Sequence, residues 1–207
     1  MKWMAFFMHS STNKPNYYFY LLAQLLLSLS LLFSASVIAE TAKNTEHAFI
    51  VKHAETVLID QVYHVNAKLE YHFSNEALDA LNNGVPLIIL LNIEVEKQRS
   101  WWMNKNIATL EQGYLLLYHA LSEKFVVHNL NSGIQENYSS LHSALYALGD
   151  LQQLPVLDTK LLEKNTNYIF KLRSFLDIES LPAPMRPLAY ISSQWQLKSN
   201  WYVWTLK

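Results

Sequence analysis

From Tyr63 to Phe73 every second residue is apolar: Tyr63, Val65, Ala67, Leu69, Tyr71 and Phe73 alternate with His64, Asn66, Lys68, Glu70 and His72. A period of two sends successive side chains to opposite faces, so this stretch reads as a long strand with one face in a core and the other in water. The pattern recurs in Leu87, Ile89, Leu91, Ile93 and Val95 against Asn92, Glu94 and Glu96. It recurs again in Tyr168, Phe170, Leu172, Leu176 and Ile178 against Lys171, Arg173, Asp177 and Glu179. Strands of parallel sheets are buried on both faces and do not alternate so cleanly, which implies antiparallel sheets.

Tyr114 to Ala120 and Phe125 to Leu130 read as a hairpin linked around Ser122-Glu123, although no Asn-Gly turn joins them. Phe49 to His53, and Trp195 to Leu206 with a break near Ser199-Asn200, bring the expectation to about seven strands, a number that suits a sandwich. Only two segments look helical. Ser74 caps a short helix carrying Leu78 and Leu81, with Glu76 and Asp79 early and Gly84 then Pro86 past its end. Leu141, Ala144, Leu145 and Leu148 fall at i, i+3, i+4 and i+7, with Ser139 or Ser140 at the start and Gly149 at the stop. The stretch Leu181-Pro182-Ala183-Pro184-Met185-Arg186-Pro187 reads as a rigid surface crossing between the last strands. The expected fold class is mainly β (α+β): an antiparallel, sandwich-like domain with two short helices, following an N-terminal signal segment.

That segment is residues 1–39. Lys2 and Lys14 precede an apolar run from Phe19 to Phe33, and small residues then lead to Val37-Ile38-Ala39. A run of roughly 15 residues is short for a spanning helix of about 20, and the small residue at Ala39 suits a signal-cleavage pocket. The alternative is an uncleaved inner-membrane anchor over residues 19–38, which would be the chain's only membrane contact. The chain has no cysteine, which removes lipid attachment, disulfides, thiol nucleophiles and thiolate metal sites together. An exported domain over residues 40–207 must then be held by its core, and 168 residues suffice for one domain. All 17 acidic residues lie at or beyond Glu40, while 16 basic residues less Lys2 and Lys14 leave 14, for a net charge of −3. That balance argues against nucleic acid or anionic lipid as a partner.

Asn83-Gly84-Val85-Pro86-Leu87, Arg99-Ser100-Trp101-Trp102, Tyr114-x-Leu116-x-Tyr118-His119 and Val127-His128-Asn129-Leu130-x-Ser132-Gly133 resemble the DUF4390 family of exported bacterial proteins. Leu176-Asp177-x-x-x-Leu181-Pro182-x-Pro184-x-Arg186-Pro187 and Trp195-x-Leu197-x-Ser199-x-Trp201-x-x-Trp204 extend the resemblance to the end of the chain. The resemblance implies a Gram-negative envelope protein working in the periplasm, and it supplies no catalytic residues.

The residues themselves point to no catalytic, cofactor or metal site. His64 and His72 lie about 26 Å apart along one strand at ~3.3 Å per residue, too far for one metal. His119 and His128 in the hairpin have no accompanying carboxylate. Glu94 and Glu96 share a strand face, as carboxylates do on any solvated acidic face. There is no Gly-x-Ser-x-Gly elbow, and Gly84, Gly113, Gly133 and Gly149 are too dispersed to cradle a phosphate. The aromatic residues carry more. Trp101 and Trp102 are consecutive, so in an extended backbone only one can enter the core, and the other, with Arg99 beside it, is a candidate binding platform. Trp201 and Trp204 raise the same question more weakly. Arg99, Trp101, Trp102 and, from the Pro-rich crossing, Arg186 form the expected interaction surface. The expected role is a non-catalytic interaction or accessory module whose partner is an envelope or inner-membrane protein. Alternatives are a glycan- or peptidoglycan-binding domain that stacks sugars on exposed tryptophan, and a hydrolase without a recognised motif.

Export with cleavage after Ala39 has a direct check: the intact mass of protein from an osmotic-shock fraction should correspond to a chain beginning at Glu40. Full-length chain retained in the inner membrane establishes the anchored form instead.

Overall fold

The structure, a computed structural model, describes residues 49–99, 101 and 103–206; the signal segment 1–39 lies outside the described residues. Among the described residues nine strands form two antiparallel sheets. β1 (Phe49–Ile59), β2 (Val62–Tyr71) and β7 (Asp150–Asp158) make the smaller sheet in the order β1-β2-β7. The larger sheet joins β3 (Leu87–Lys97), β4 (Lys105–His119), β5 (Lys124–Asn129), β6 (Gln135–Tyr138), β8 (Tyr168–Leu176) and β9 (Tyr202–Thr205) in the order β6-β5-β4-β3-β8-β9. The arrangement is sandwich-like, as the alternation requires. Among the described residues three short helices accompany the sheets: α1 (Asn75–Asn82), α2 (Leu141–Gly149) and α3 (Arg186–Ile191). Among the described residues no helix is long and apolar enough to cross a membrane.

The core lies where alternation places it. Leu87, Ile89, Leu91, Ile93 and Val95 of β3 are each at most 2% exposed, and Tyr168, Phe170, Leu172, Ser174 and Leu176 of β8 are buried beside them. Val65, Ala67, Leu69 and Tyr71 of β2 supply the facing layer. Burying one such aliphatic or aromatic side chain contributes about 1.5–3 kcal/mol. Aromatic edges fill the gaps: Phe49 meets Tyr71 at 4.9 Å and Phe73 at 5.3 Å between ring centroids. Ser74 caps α1 by accepting from the Ala77 amide at 3.2 Å, and Ser140 caps α2 by accepting from Ser143 at 3.1 Å.

Several expectations are corrected. Among the described residues there are nine strands where about seven were expected, and three short helices where two were expected. β1 runs to Ile59, turned back by Asp60 and Gln61 at φ 49° and 65°, a pair of left-handed residues with no glycine to announce them. β7 carries Pro155, which a sheet tolerates because β7 is an edge strand. β4 begins at Lys105, where its inward positions include the small Ala108 and the buried polar Gln112, so the apolar alternation is broken. Trp195 to Lys198 is not a strand. Ser193–Trp195 is a 3-10 turn, and only Lys198 bridges to β8, opposite Phe175. The Pro-rich crossing leads directly into α3, because a proline early in a helix lacks only an N–H that has no partner there.

Gly149 ends α2 where the chain passes β2. A Cβ built there would lie 2.2 Å from the Leu69 carbonyl oxygen, a backbone atom that cannot yield without moving β2. Gly149→Ala should therefore lower stability by more than about 2 kcal/mol in urea unfolding. Gly133→Ala, at φ 76° with nothing within 4 Å, should cost about 1 kcal/mol. Equal midpoints for the two variants would show that the α2–β2 contact is not close-packed.

Candidate functional site

The surface expected from sequence is divided. Arg99 and Trp101 lie in the connection that follows β3; Arg99 is exposed and Trp101 is 92% exposed, while Trp102 lies outside the described residues. The Glu163 carboxyl is held below its usual range, first by its hydrogen bond from Lys97 and further by the charges of Lys97, Lys105 and Arg99. Arg186 is elsewhere: its Nε donates to the Leu181 carbonyl at 2.7 Å, beyond the far end of β8. Lys97 pairs with Tyr168 at one end of β8 and Ile89 with Leu176 at the other, a separation of about 26 Å at ~3.3 Å per residue. Arg99 follows the C-terminus of β3 and the Pro-rich crossing follows the C-terminus of β8. In antiparallel neighbours those termini sit at opposite ends, so Arg186 does not adjoin Arg99.

The other singled-out groups serve local structure. His64 Nδ1 lies 3.0 Å from the Val62 carbonyl. His119 pairs with Lys124 and His128 with Leu115, so the two histidines are not cross-strand neighbours. Glu96 accepts from Lys171 Nζ and, at 3.1 Å, from Asn104 Nδ2. The Lys171 bond, seconded by Asn104, lowers the Glu96 carboxyl from its ordinary 4.5.

A cleft of about 450 Å³ lies on the outward face of the larger sheet, at its β8–β9 edge. Alternation puts Arg173 and Phe175 of β8 on this face, since Leu172, Ser174 and Leu176 between and beside them are buried. The Arg173 guanidinium carbon lies 4.4 Å from the Trp201 ring centroid and 5.2 Å from that of Phe175, within the range of cation–π attraction. Lys198, Asn200 and Gln196 line the cleft with Leu176, Ile178 and Leu197, and no carboxylate is among the lining residues.

Lys198 and Trp201 are three residues apart, so in a regular strand they would face opposite ways. A bulge reconciles them. Leu172 pairs with Tyr202 and Phe175 with Lys198, so three steps on β8 are matched by four on the partner. Ser199 holds the irregularity: its N–H donates to the Ser174 carbonyl at 2.8 Å, and its Oγ accepts from the Ser174 N–H at 2.9 Å. Ser174 Oγ in turn donates to the Leu90 carbonyl at 3.1 Å, tying the bulge to β3. Arg173 lies directly opposite Asn92, and Arg173 Nε and Asn92 Oδ1 are both buried without a hydrogen-bond partner among the described residues.

The family described as a domain of unknown function, DUF4390, matches residues 46–205. The chain belongs to the DUF4390 family. No curated protein and no solved structure matches it. Within this DUF4390 chain, the signal for the cleft was partly in the sequence: Trp201 stands out, and Arg173 occupies a wet position of an alternating strand. What joins them with Lys198 is the bulge, which pairing alone reveals.

Glu96 yields a pH prediction. Its folded carboxyl titrates below its ordinary value, so its stabilising contribution is complete above about pH 4.5 and is lost as pH falls through the lowered folded value. Glu96→Gln should flatten the decline of melting temperature below pH 4.5 and make little difference to its slope above pH 6. Parallel acid limbs in wild type and variant refute the assignment.

Proposed function

We propose that this protein is exported into the cell envelope and works there, in the periplasm, as a non-catalytic binding module whose partner is an envelope or inner-membrane protein. The observation that carries the reading is the cleft. Arginine and tryptophan are the side chains that contribute most when desolvated at an interface, and here they are already stacked on each other at an accessible sheet edge. Prior stacking fixes the Arg173 side chain before a partner arrives, which removes part of the ordering cost of association. The basic start, apolar run and small residues of segment 1–39 support export. A sugar-stacking role for Trp201 is less well supported, because the guanidinium already lies against that ring.

The test is in vivo crosslinking. A photo-reactive residue at Asn200, on the exposed cleft rim, should give a discrete adduct in intact cells that is lost with Arg173→Gln. The same residue at Ile134, 61% exposed in the connection between β5 and β6, should give none. An adduct at Asn200 that persists in the Arg173→Gln variant shows that the stacked arginine does not carry the binding and overturns the reading. Protection of the chain from protease in spheroplasts refutes export.

A further inference from the structure

We infer that the cleft takes a carboxylate carried by an extended peptide laid along the sheet edge at Lys198; this rests on the proposed role of the cleft as the binding surface.

The peptide backbone is called for by the geometry of Lys198. Leu176 N–H donates to the Leu197 carbonyl and Ser199 N–H donates to the Ser174 carbonyl, each at 2.8 Å. In an antiparallel pair hydrogen-bonding direction alternates along the strand, so the N–H and C=O of Lys198 between them point away from β8. The residue itself is exposed. Neither group has a backbone partner among the described residues, so this single bridged position at the mouth of the cleft offers one residue's N–H and C=O to an extended segment, while the cleft receives an alternate side chain.

The carboxylate is called for by charge and by the walls. Arg173 and Lys198 are the ionisable groups of the lining. The nearest acidic residue along the chain, Asp177, is engaged in its own turn, accepting from the Glu179 N–H at 3.0 Å and from Ser180 Oγ. Burial of Arg173 Nε leaves its two terminal nitrogens, which have no hydrogen-bond or ion-pair partner among the described residues, as the donors for a ligand, a pair that matches the two oxygens of one carboxylate. Gln196 Nε2 donates to the Tyr190 carbonyl, and much of the remaining wall is Phe175, Ile178 and Trp201, which keep exposed surface. A monoanion on an apolar stem suits those walls.

The test uses the full chain in detergent and fluorescence anisotropy with labelled short peptides of alternating threonine and valine. One peptide carries a central glutamate and an amidated end, one has no glutamate and a free C-terminal carboxylate, one has neither charge, and one has a central phosphoserine with an amidated end. At least one carboxylate peptide should bind about tenfold or more tightly than the uncharged one, and comparison of the two identifies side chain or chain end as the source. Arg173→Gln and Lys198→Glu should each reduce that preference, and Lys198→Pro, which removes the outward N–H, should weaken every peptide. Melting curves accompany each variant; should Arg173→Gln fail to fold, the two Lys198 variants decide. The inference is overturned if phosphoserine binds best, if the charge variants leave the preference intact, or if Lys198→Pro binds like wild type. If no peptide binds but the Arg173-dependent adduct at Asn200 persists in cells, the ligand class is wrong and the cleft stands. If both are absent, both readings fall.

Discussion

The parity of β3 and β8 governs the rest of the molecule. β3 is paired on both sides, to β4 and to β8, along nearly its whole length, and its five odd-numbered residues from Leu87 to Val95 are almost completely buried. A slip of one residue in either pairing would send that apolar set into water and bring Asn92, Glu94 and Glu96 into the core. The cost of that exchange, several buried side chains lost and charges gained, is what fixes the register. Once it is fixed, the outward face follows without further choice: Arg173 and Phe175 must share it, and Arg173 must stand opposite Asn92. The candidate site is thus a by-product of core packing on the other side of the same strands.

The one departure from that parity is the bulge at Ser199 and Asn200. A bulge leaves backbone groups out of the ladder, and a buried unpaired amide costs on the order of 1–3 kcal/mol. Here the Ser199 hydroxyl takes the Ser174 N–H in place of a carbonyl, so the irregularity is kept without an orphaned donor. Ser199 is 8% exposed, too buried for its hydroxyl to be served by solvent. The result is that Lys198 and Trp201 face the same way, while Trp204 is returned inward against Phe170 at 5.6 Å. One serine therefore decides both the composition of the cleft and the end of the core.

How much of this was legible in the sequence follows from which forces leave a local trace. Core strands do: β2, β3 and β8 were readable because one face of each must be apolar. Edge and turn elements do not. β7 was hidden by Pro155, the extent of β1 by the glycine-free turn at Asp60-Gln61, and the first half of β4 by Ala108 and Gln112 at inward positions. The DUF4390 resemblance was carried by turn and strand-end motifs and gave membership without chemistry. For the site, the argument that consecutive tryptophans cannot both be buried assumes an extended backbone, and Trp101 lies in the bend between β3 and β4 rather than in a strand. Long-range placement was the harder limit. Whether Arg99 meets Arg186 depends on strand order and direction, and whether Arg173 meets Trp201 depends on one inserted residue.

Net charge illustrates the same limit from the side of electrostatics. The 40–207 segment is net negative, which taken alone disfavours anionic partners. Yet at physiological salt the screening length is about 8 Å, so a ligand in the cleft responds to groups within that range and hardly at all to acids on distant strands. The ionisable groups that line the cleft are Arg173 and Lys198, and the walls of Phe175 and Trp201 exclude some of the water that would otherwise weaken their field. The sum over the chain therefore sets solubility and long-range steering. The local charge of the cleft lining comes from two residues brought together by a bulge.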